Sequence, residues 1–125
     1  MTPFRYLADT HIILWSISDD KRLKTRYREI LASEAKVFVS AASVWEIAIK
    51  RASGKLKAPA NLTTLLPRMR FAPLPVTLQH AEAIAHLPAA HGDPFDRLLI
   101  AQAQTEELTL LSEDRYFTSY SIPVI

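Results

Sequence analysis

Short apolar segments alternate along this chain with longer segments in which apolar residues recur at helical spacing. The segments predicted to be strands are Phe4–Ala8, Val37–Val39, Phe71–Val76, Leu108–Leu111 and Ile122–Ile125. The segments predicted to be helices are His11–Ser16, Lys21–Ser33, Ser40–Lys50, Asn61–Arg70, a helix capped by Thr77, and Pro94–Thr105. Because strands that alternate with helices are joined by crossovers, the pattern predicts an α/β fold with a mainly parallel sheet.

The composition is that of one soluble domain over residues 1–125. Apolar residues make up 49% of the chain and charged residues 22%, with no cysteine. No apolar run approaches the roughly 20 residues of a membrane span, and the N-terminus does not resemble a secretory signal. We therefore expect a cytoplasmic protein without a membrane contact, and the absence of cysteine excludes disulfides and thiolate metal sites.

Acidic residues stand at the junctions between predicted strands and helices. Asp9 follows the first strand, Asp114 follows the strand 108–111, and Glu46 and Asp96 lie in the first turns of two helices. Strand ends and helix starts gather along one edge of an open α/β sheet, so acids that are distant in sequence can converge there. The sequence therefore predicts a cluster of carboxylates formed by Asp9, Glu46, Asp96 and Asp114.

Clustered carboxylates call for a cation. Like charges held close together raise one another's pKa, whereas hard ions such as Mg²⁺ or Mn²⁺ prefer oxygen ligands of this kind. The residues alone thus favour a metal-dependent nuclease with these four acids as catalytic residues and metal ligands.

Each acid also has a structural interpretation. Asp9 could cap the helix that follows it, and Asp93 is well placed to cap the helix that begins at Pro94, which leaves Asp96 as the ligand and Asp93 as an auxiliary acid. Glu46 could close a capping box with Ser43; if Ser40 is the cap instead, Glu46 lies one turn further in and faces the cleft. Trp45 is expected in the core rather than as a platform for base stacking.

Positive charge is concentrated in the first part of the chain. Residues 1–70 hold 13 of the 15 Lys and Arg residues and 6 of the 13 acids. An anionic polymer could be bound there, although the basic stretch from Lys21 to Arg28 is equally typical of a solvated helix face. The chain lacks a phosphate-binding loop, a nucleophile elbow and a dinucleotide-binding turn, which removes nucleotide hydrolysis, serine hydrolysis and dinucleotide binding as leading functions.

Two other functions remain open. The chain could be a non-catalytic interaction module whose acids cap helices, or a phosphatase or phosphotransfer receiver of similar α/β form. A receiver would need an acid pair at the first strand and a lysine after a late strand, and neither is evident near Asp9 or in 122–125. Loss of metal-dependent RNA cleavage on substitution of Asp9 would separate an enzyme from a module.

Four segments in order along the chain resemble the motifs of the PIN-domain family, specifically the VapC-type toxins of toxin–antitoxin systems. They are LADTH at 7–11, VSAASVWEI at 39–47, DPFDRLLIAQA at 93–103 and LSED at 111–114. By this resemblance Asp9, Glu46, Asp96 and Asp114 occupy the family's acidic positions, and Ser112 the small hydroxyl position that often precedes the last acid. Gly92 departs from the pattern, because related sequences often carry a basic residue there.

The resemblance implies a PIN-like α/β/α sandwich and a ribonuclease that uses Mg²⁺ or Mn²⁺. It implies Asp9 and Asp96 as direct ligands, with Glu46 and Asp114 binding a second ion or orienting water. Single-stranded or looped RNA is the expected substrate, since exposed bases are read more readily there than in a duplex. The resemblance also implies a small VapB-like antitoxin as a partner. A homodimer is expected from the abundant apolar residues on the predicted helices, which can leave a self-complementary patch exposed.

Overall fold

The computed structural model describes residues 4–88 and 92–125. Its strands are β1 (Arg5–Ala8), β2 (Lys36–Ser40), β3 (Phe71–Leu74) and β4 (Thr109–Leu111). Its α-helices are α1 (Thr10–Ser18), α2 (Thr25–Ala32), α3 (Ala41–Ala52), α4 (Leu62–Arg68), α5 (Leu78–Ala83) and α6 (Pro94–Glu106). Two short 3₁₀ helices, Ile84–His86 and Arg115–Ser119, follow α5 and β4. In the described ranges, no helix is both long and apolar enough to cross a membrane.

All strands of the sheet run parallel, in the order β3-β2-β1-β4. In β1, Tyr6 pairs with Val37 of β2, and Leu7 pairs with Leu110 of β4. The chain therefore builds outward from β1 in one direction through β2 and β3 and adds β4 on the other side. The direction changes at β1, which is the place where open α/β sheets form their clefts.

Alternate residues of the strands enter two separate cores. Tyr6 and Ala8 of β1 pack with α1, α2, α3 and α4 on one face, whereas Leu7 packs with α6 and the segment after β4 on the other. In the same way Val37 and Val39 of β2 face the first core and Phe38 faces the second. Because both faces of the sheet are covered by helices, the predicted α/β/α sandwich is confirmed.

Side-chain caps fix where α3, α5 and α6 begin. The Ser40 hydroxyl accepts a hydrogen bond from the Ala42 amide at the start of α3, and Asp93 accepts from the amides of Phe95 and Asp96 at the start of α6. Thr77 caps α5 as predicted. The prediction left open whether Ser40 or Ser43 caps the third helix, and Ser40 is the cap.

Three predicted elements differ from the structure. The predicted final strand 122–125 is reduced to a bridge between Val124 and Leu110, with backbone hydrogen bonds from the segment to Leu110 and Ser112. Pro123 has no amide hydrogen, so the pairing does not extend towards Ile122. The helix expected from Lys21 begins at Thr25, since the Asp20 carboxylate accepts from the Arg22 amide and holds a turn before it. The extended segment from Phe71 ends as a strand at Leu74, followed by Pro75.

Candidate active site at the carboxyl edge of the sheet

Asp9 is a buried carboxylate with both oxygens engaged. It follows β1, and its amide donates to the Leu111 carbonyl of β4. Its Oδ1 accepts from the Ile12 amide at 2.9 Å and caps α1, while its Oδ2 accepts from the Ser112 hydroxyl. Burial raises the pKa of Asp9, and the two hydrogen bonds oppose that rise. The capping interpretation of Asp9 is therefore realised, and the same contacts fix the carboxylate at the edge of the sheet.

Ser112 connects Asp9 to Asp114. Besides donating to Asp9, the Ser112 hydroxyl accepts from the Asp114 amide at 3.0 Å. Asp114 in turn caps the 3₁₀ helix that follows, because its carboxylate accepts from the Tyr116 amide at 2.9 Å. The charge of Asp114 acts on Asp9 and favours its protonated form. The two predicted acids after β1 and β4 are thus neighbours, as expected for adjacent parallel strands.

Glu46 reaches the same edge from α3. Since α3 begins after Ser40, Glu46 lies beyond the first turn and does not close a capping box. The residue is 6% exposed, and its Oε1 accepts from the Thr10 hydroxyl at 2.8 Å. The Thr10 hydroxyl also lies 3.1 Å from the Ser43 hydroxyl. Glu46 is therefore held against Thr10 at the start of α1. Thr10 is the residue that follows Asp9 in the chain.

Lys50 is a functional candidate that the sequence reasoning missed. Its Nζ lies 2.8 Å from Glu46 Oε2. The hydrogen bond to Glu46 raises the pKa of Lys50, and the charges of Asp93 and Asp96 add to this. The signal in the sequence was the spacing of four between Glu46 and Lys50, which places the two side chains on one helix face.

Asp96 is an acid of the site that stands among other acids at the start of α6. It lies in the first turn of α6 and is half-buried. In the described part of the chain, no group donates a hydrogen bond to its carboxylate. Burial raises the pKa of Asp96 to about 7, together with repulsion from the other acids of the site, namely Asp93, Glu46, Asp114 and Asp9. The four predicted acids and the auxiliary Asp93 therefore share one electrostatic environment.

These residues suit a hard divalent cation in donor type and charge. In residues 4–88 and 92–125, no three acidic or histidine side chains stand close enough for joint coordination of an ion. All the acids nevertheless supply carboxylate oxygens, and the Lys50 ammonium already acts as a stand-in cation on Glu46. The donor type of the set suits Mg²⁺ or Mn²⁺, but the oxygens would have to draw closer together to bind one.

Other predicted residues lie elsewhere or have other partners. Trp45 is not in the core, because 58% of it is exposed and its ring packs edge-to-face with Phe95 at 4.9 Å. α3 buries Ile47, and Trp45, two residues earlier, lies on the other side of the helix. His91, a weaker candidate for substrate contact, is outside the described residues.

The basic stretch is largely neutralised by acids. Lys24 and Arg26 both pair with Glu113, at 3.0 and 3.1 Å. Arg22 pairs with Asp20, and Arg28 pairs with Asp19. Glu113 thus connects the start of α2 to the segment after β4.

Comparisons with known proteins agree with the architecture. The sequence matches the PIN domain family over residues 6–122. The structure resembles VapBC2 of Rickettsia felis bound to a DNA fragment from its promoter, with a TM-score of 0.72, 16% identity and coverage of 98% of each chain. DNA-bound VapBC of Salmonella typhimurium gives a TM-score of 0.70 at 16% identity, over 98% of this chain and 97% of the other. A toxin–antitoxin complex from Klebsiella pneumoniae gives 0.66 at 17% identity, over 96% of this chain and 95% of the other.

No curated protein matches the sequence. The identities to the solved structures are low, so this likeness bears on the fold.

Proposed function

The chain belongs to the PIN-domain family, and we propose that it is a metal-dependent endoribonuclease, a VapC-type toxin of a toxin–antitoxin system, formed by one domain over residues 1–125. The observation that carries the proposal is the convergence of acids on Asp96, whose pKa is raised to about 7 by burial and, in addition, by the charges of four other acids. Acids that only cap helices need not stand close enough for their charges to act on one another. Acids that bind one divalent ion for phosphodiester hydrolysis must stand that close together.

The proposed roles follow from how each acid is held. Asp9 is fixed by two hydrogen bonds and Asp96 accepts none from described groups, so these two are the proposed direct ligands. Glu46 and Asp114 bind a second ion or orient the attacking water. When bound, Mg²⁺ or Mn²⁺ supplies Lewis acidity to the phosphodiester and the attacking water.

Two auxiliary residues position these ligands. Asp93 caps α6 through the amides of Phe95 and Asp96, which sets where Asp96 stands. Ser112 bridges Asp9 and the amide of Asp114 and sets the spacing of that pair. We assign these two residues to positioning, since each acts on a ligand through a backbone or hydroxyl hydrogen bond.

The proposed substrate is single-stranded or looped RNA, whose bases are accessible to a protein. The ion pairs of the basic stretch, Lys24 and Arg26 with Glu113 among them, lower its capacity to neutralise phosphate. We therefore place RNA recognition at the acidic cleft and its rim rather than on α2.

The proposed partners are a small antitoxin and a second copy of the chain. The antitoxin is supported by the resemblance to the toxin–antitoxin complex from Klebsiella pneumoniae. An antitoxin that inserted an Arg or Lys among the acids would compete with a divalent ion, and the position of Lys50 indicates that a side-chain cation is accommodated there.

A second candidate function is favoured by a specific observation. Three of the acids, Asp9, Asp93 and Asp114, do cap helices. A non-catalytic interaction module would use them for that purpose alone. Glu46 and Asp96 cap nothing in the structure, which is why we prefer the enzyme.

The test is cleavage of a single-stranded RNA with and without Mn²⁺ by the wild type and by Asp96→Asn. The matched control is Asp19→Asn. Asp19 caps the C-terminal end of α1, whereas Asp9 of the site caps its N-terminal end, and the backbone of Asp19 has a left-handed conformation that Asn tolerates. We expect Mn²⁺-dependent cleavage by the wild type and the control and a loss of at least about a hundredfold in Asp96→Asn. Equal cleavage by Asp96→Asn, or none by the wild type, would favour the module.

A further inference from the structure

Lys50 is the basic side chain that contacts Glu46 within the acidic site. It stands one turn after Glu46 on α3, with its Nζ 2.8 Å from Glu46 Oε2. The Glu46 side chain is 8% exposed and that of Lys50 46%, so a buried carboxylate is paired with a cation that reaches in from the surface. Exposed pairs at this spacing contribute little, but an acceptor this buried depends on its partner.

Both oxygens of Glu46 are used by this arrangement. Oε1 accepts from the Thr10 hydroxyl at 2.8 Å, and Oε2 accepts from Lys50. Thr10 is neutral and can remain while Glu46 interacts with a cation. Lys50 is charged, so its ammonium at Oε2 repels an incoming divalent ion.

The charge of Lys50 is also felt beyond Glu46. Asp93 and Asp96 both favour its charged form. The ammonium therefore offsets part of the repulsion between α3 and the start of α6. It sits at the end of a flexible four-carbon stem with access to solvent, so it can swing out without a change in the backbone.

We propose that Lys50 is the resident counter-ion of the metal-free site, and that it must leave Glu46 Oε2 when a divalent ion enters. Lys50 thereby sets the affinity for that ion: it stabilises the empty site and competes with the filled one. This inference rests on the metal site of the proposed function, but not on the identity of the substrate.

Removal of the ammonium should have two effects of opposite sign. Without a divalent ion, Lys50→Met leaves a buried carboxylate unpaired, and the melting temperature should fall. In Mn²⁺ titrations followed by calorimetry, the same variant should bind about fivefold to tenfold more tightly than the wild type. Lys55→Met, an exposed lysine after α3, is the matched control and should change neither value.

A second measurement needs no substitution. Mn²⁺ should free the Lys50 amine and increase its reaction with an acetylating reagent, as read by peptide mass spectrometry, while Lys55 stays constant. This keeps the inference testable if Lys50→Met does not fold, and Lys50→Gln provides a milder variant for the titration.

The outcomes separate this inference from the proposed function. Equal or weaker Mn²⁺ binding by Lys50→Met, with measurable binding by the wild type, would overturn the counter-ion role and leave the metal site standing. Unchanged Lys50 reactivity on saturation with Mn²⁺ would do the same. Absence of binding in the wild type and both Lys50 variants would overturn the metal requirement itself, and this inference with it.

Discussion

At the scale of single residues, the acids of the site differ in how firmly they are held. Asp9 uses both oxygens in hydrogen bonds, and Glu46 uses one for Thr10 and one for Lys50. Asp96 is half-buried among other acids, and nothing in the described part of the chain donates to it. A substitution that removes the charge of Asp96 should therefore relieve the repulsion between the acids of the metal-free site most easily.

The first prediction concerns the stability of Asp96→Asn without metal. A carboxyl whose pKa is raised from 3.8 to about 7 binds more protons in the folded state than in the unfolded state between these values. Stability must therefore fall as pH rises through this window. Asp96→Asn should match the wild type near pH 4 and exceed it in melting temperature at pH 8. A gain that did not depend on pH, or a loss at pH 8, would contradict the role assigned to Asp96.

The acid positions could be predicted from the sequence, whereas their partners could not. Asp9 and Asp114 are recognisable because the ends of parallel strands meet at one edge. The contact between Thr10 and Glu46 depends on how α1 and α3 are rotated about their axes, which the apolar pattern does not fix to within one residue. The assignment of Trp45 to the core was wrong because it rested on the apolar ring and not on the position of Trp45 on α3, whose Ile47 faces inward.

At the scale of elements, Gly92, which precedes α6, packs closely against Tyr116 of the 3₁₀ helix Arg115–Ser119. A Cβ at Gly92 would collide with the Tyr116 hydroxyl and lie 3.1 Å from its Cζ. Tyr116 is itself held by a hydrogen bond to Tyr120 at 2.8 Å. The absence of a side chain at 92, a departure from the family pattern, thus has a local packing reason.

We predict that Gly92→Ala lowers the free energy of unfolding by about 1–3 kcal/mol, because Tyr116 must move. In a Tyr116→Phe background the hydroxyl is gone, and the cost of Gly92→Ala should shrink. Chemical denaturation of the two single variants and the double variant measures this coupling. An equal cost in both backgrounds would show that the contact is not responsible.

The order of strands and helices followed from the sequence, but two of their boundaries did not. Apolar runs and prolines locate β1 to β4. The turn before α2 was not predicted, because the contact that forms it is made by the side chain of Asp20. The final segment has the apolar composition of a strand, yet Pro123 limits it to a single bridge at Val124.

At the scale of the whole molecule, α3 presents an apolar face to solvent next to the site. Trp45 and Ile49, one turn apart, are 58% and 46% exposed, and Phe95 of α6 packs against Trp45. Exposed apolar patches of this kind are typical of contact surfaces. We expect this face to form the interface of the proposed homodimer.

Light scattering at micromolar concentration should therefore give a dimer for the wild type. Trp45→Ala and Ile49→Ala should shift it towards monomer, because each removes apolar area from the interface. Leu78→Ala is the control, since Leu78 is an apolar residue on α5 that is 90% exposed. A monomeric wild type would refute the dimer, and a dimer unaffected by both substitutions would place its interface elsewhere.

The central claim is that carboxylates from β1, α3, α6 and the segment after β4 act as one divalent-ion site. Calorimetric titration with Mn²⁺ tests it most directly, on the wild type, Asp96→Asn and the control Asp19→Asn. We predict saturable binding by the wild type and the control, and binding weaker by more than about tenfold in Asp96→Asn, since a direct ligand is lost. Binding by Asp96→Asn with the affinity of the wild type would contradict the claim.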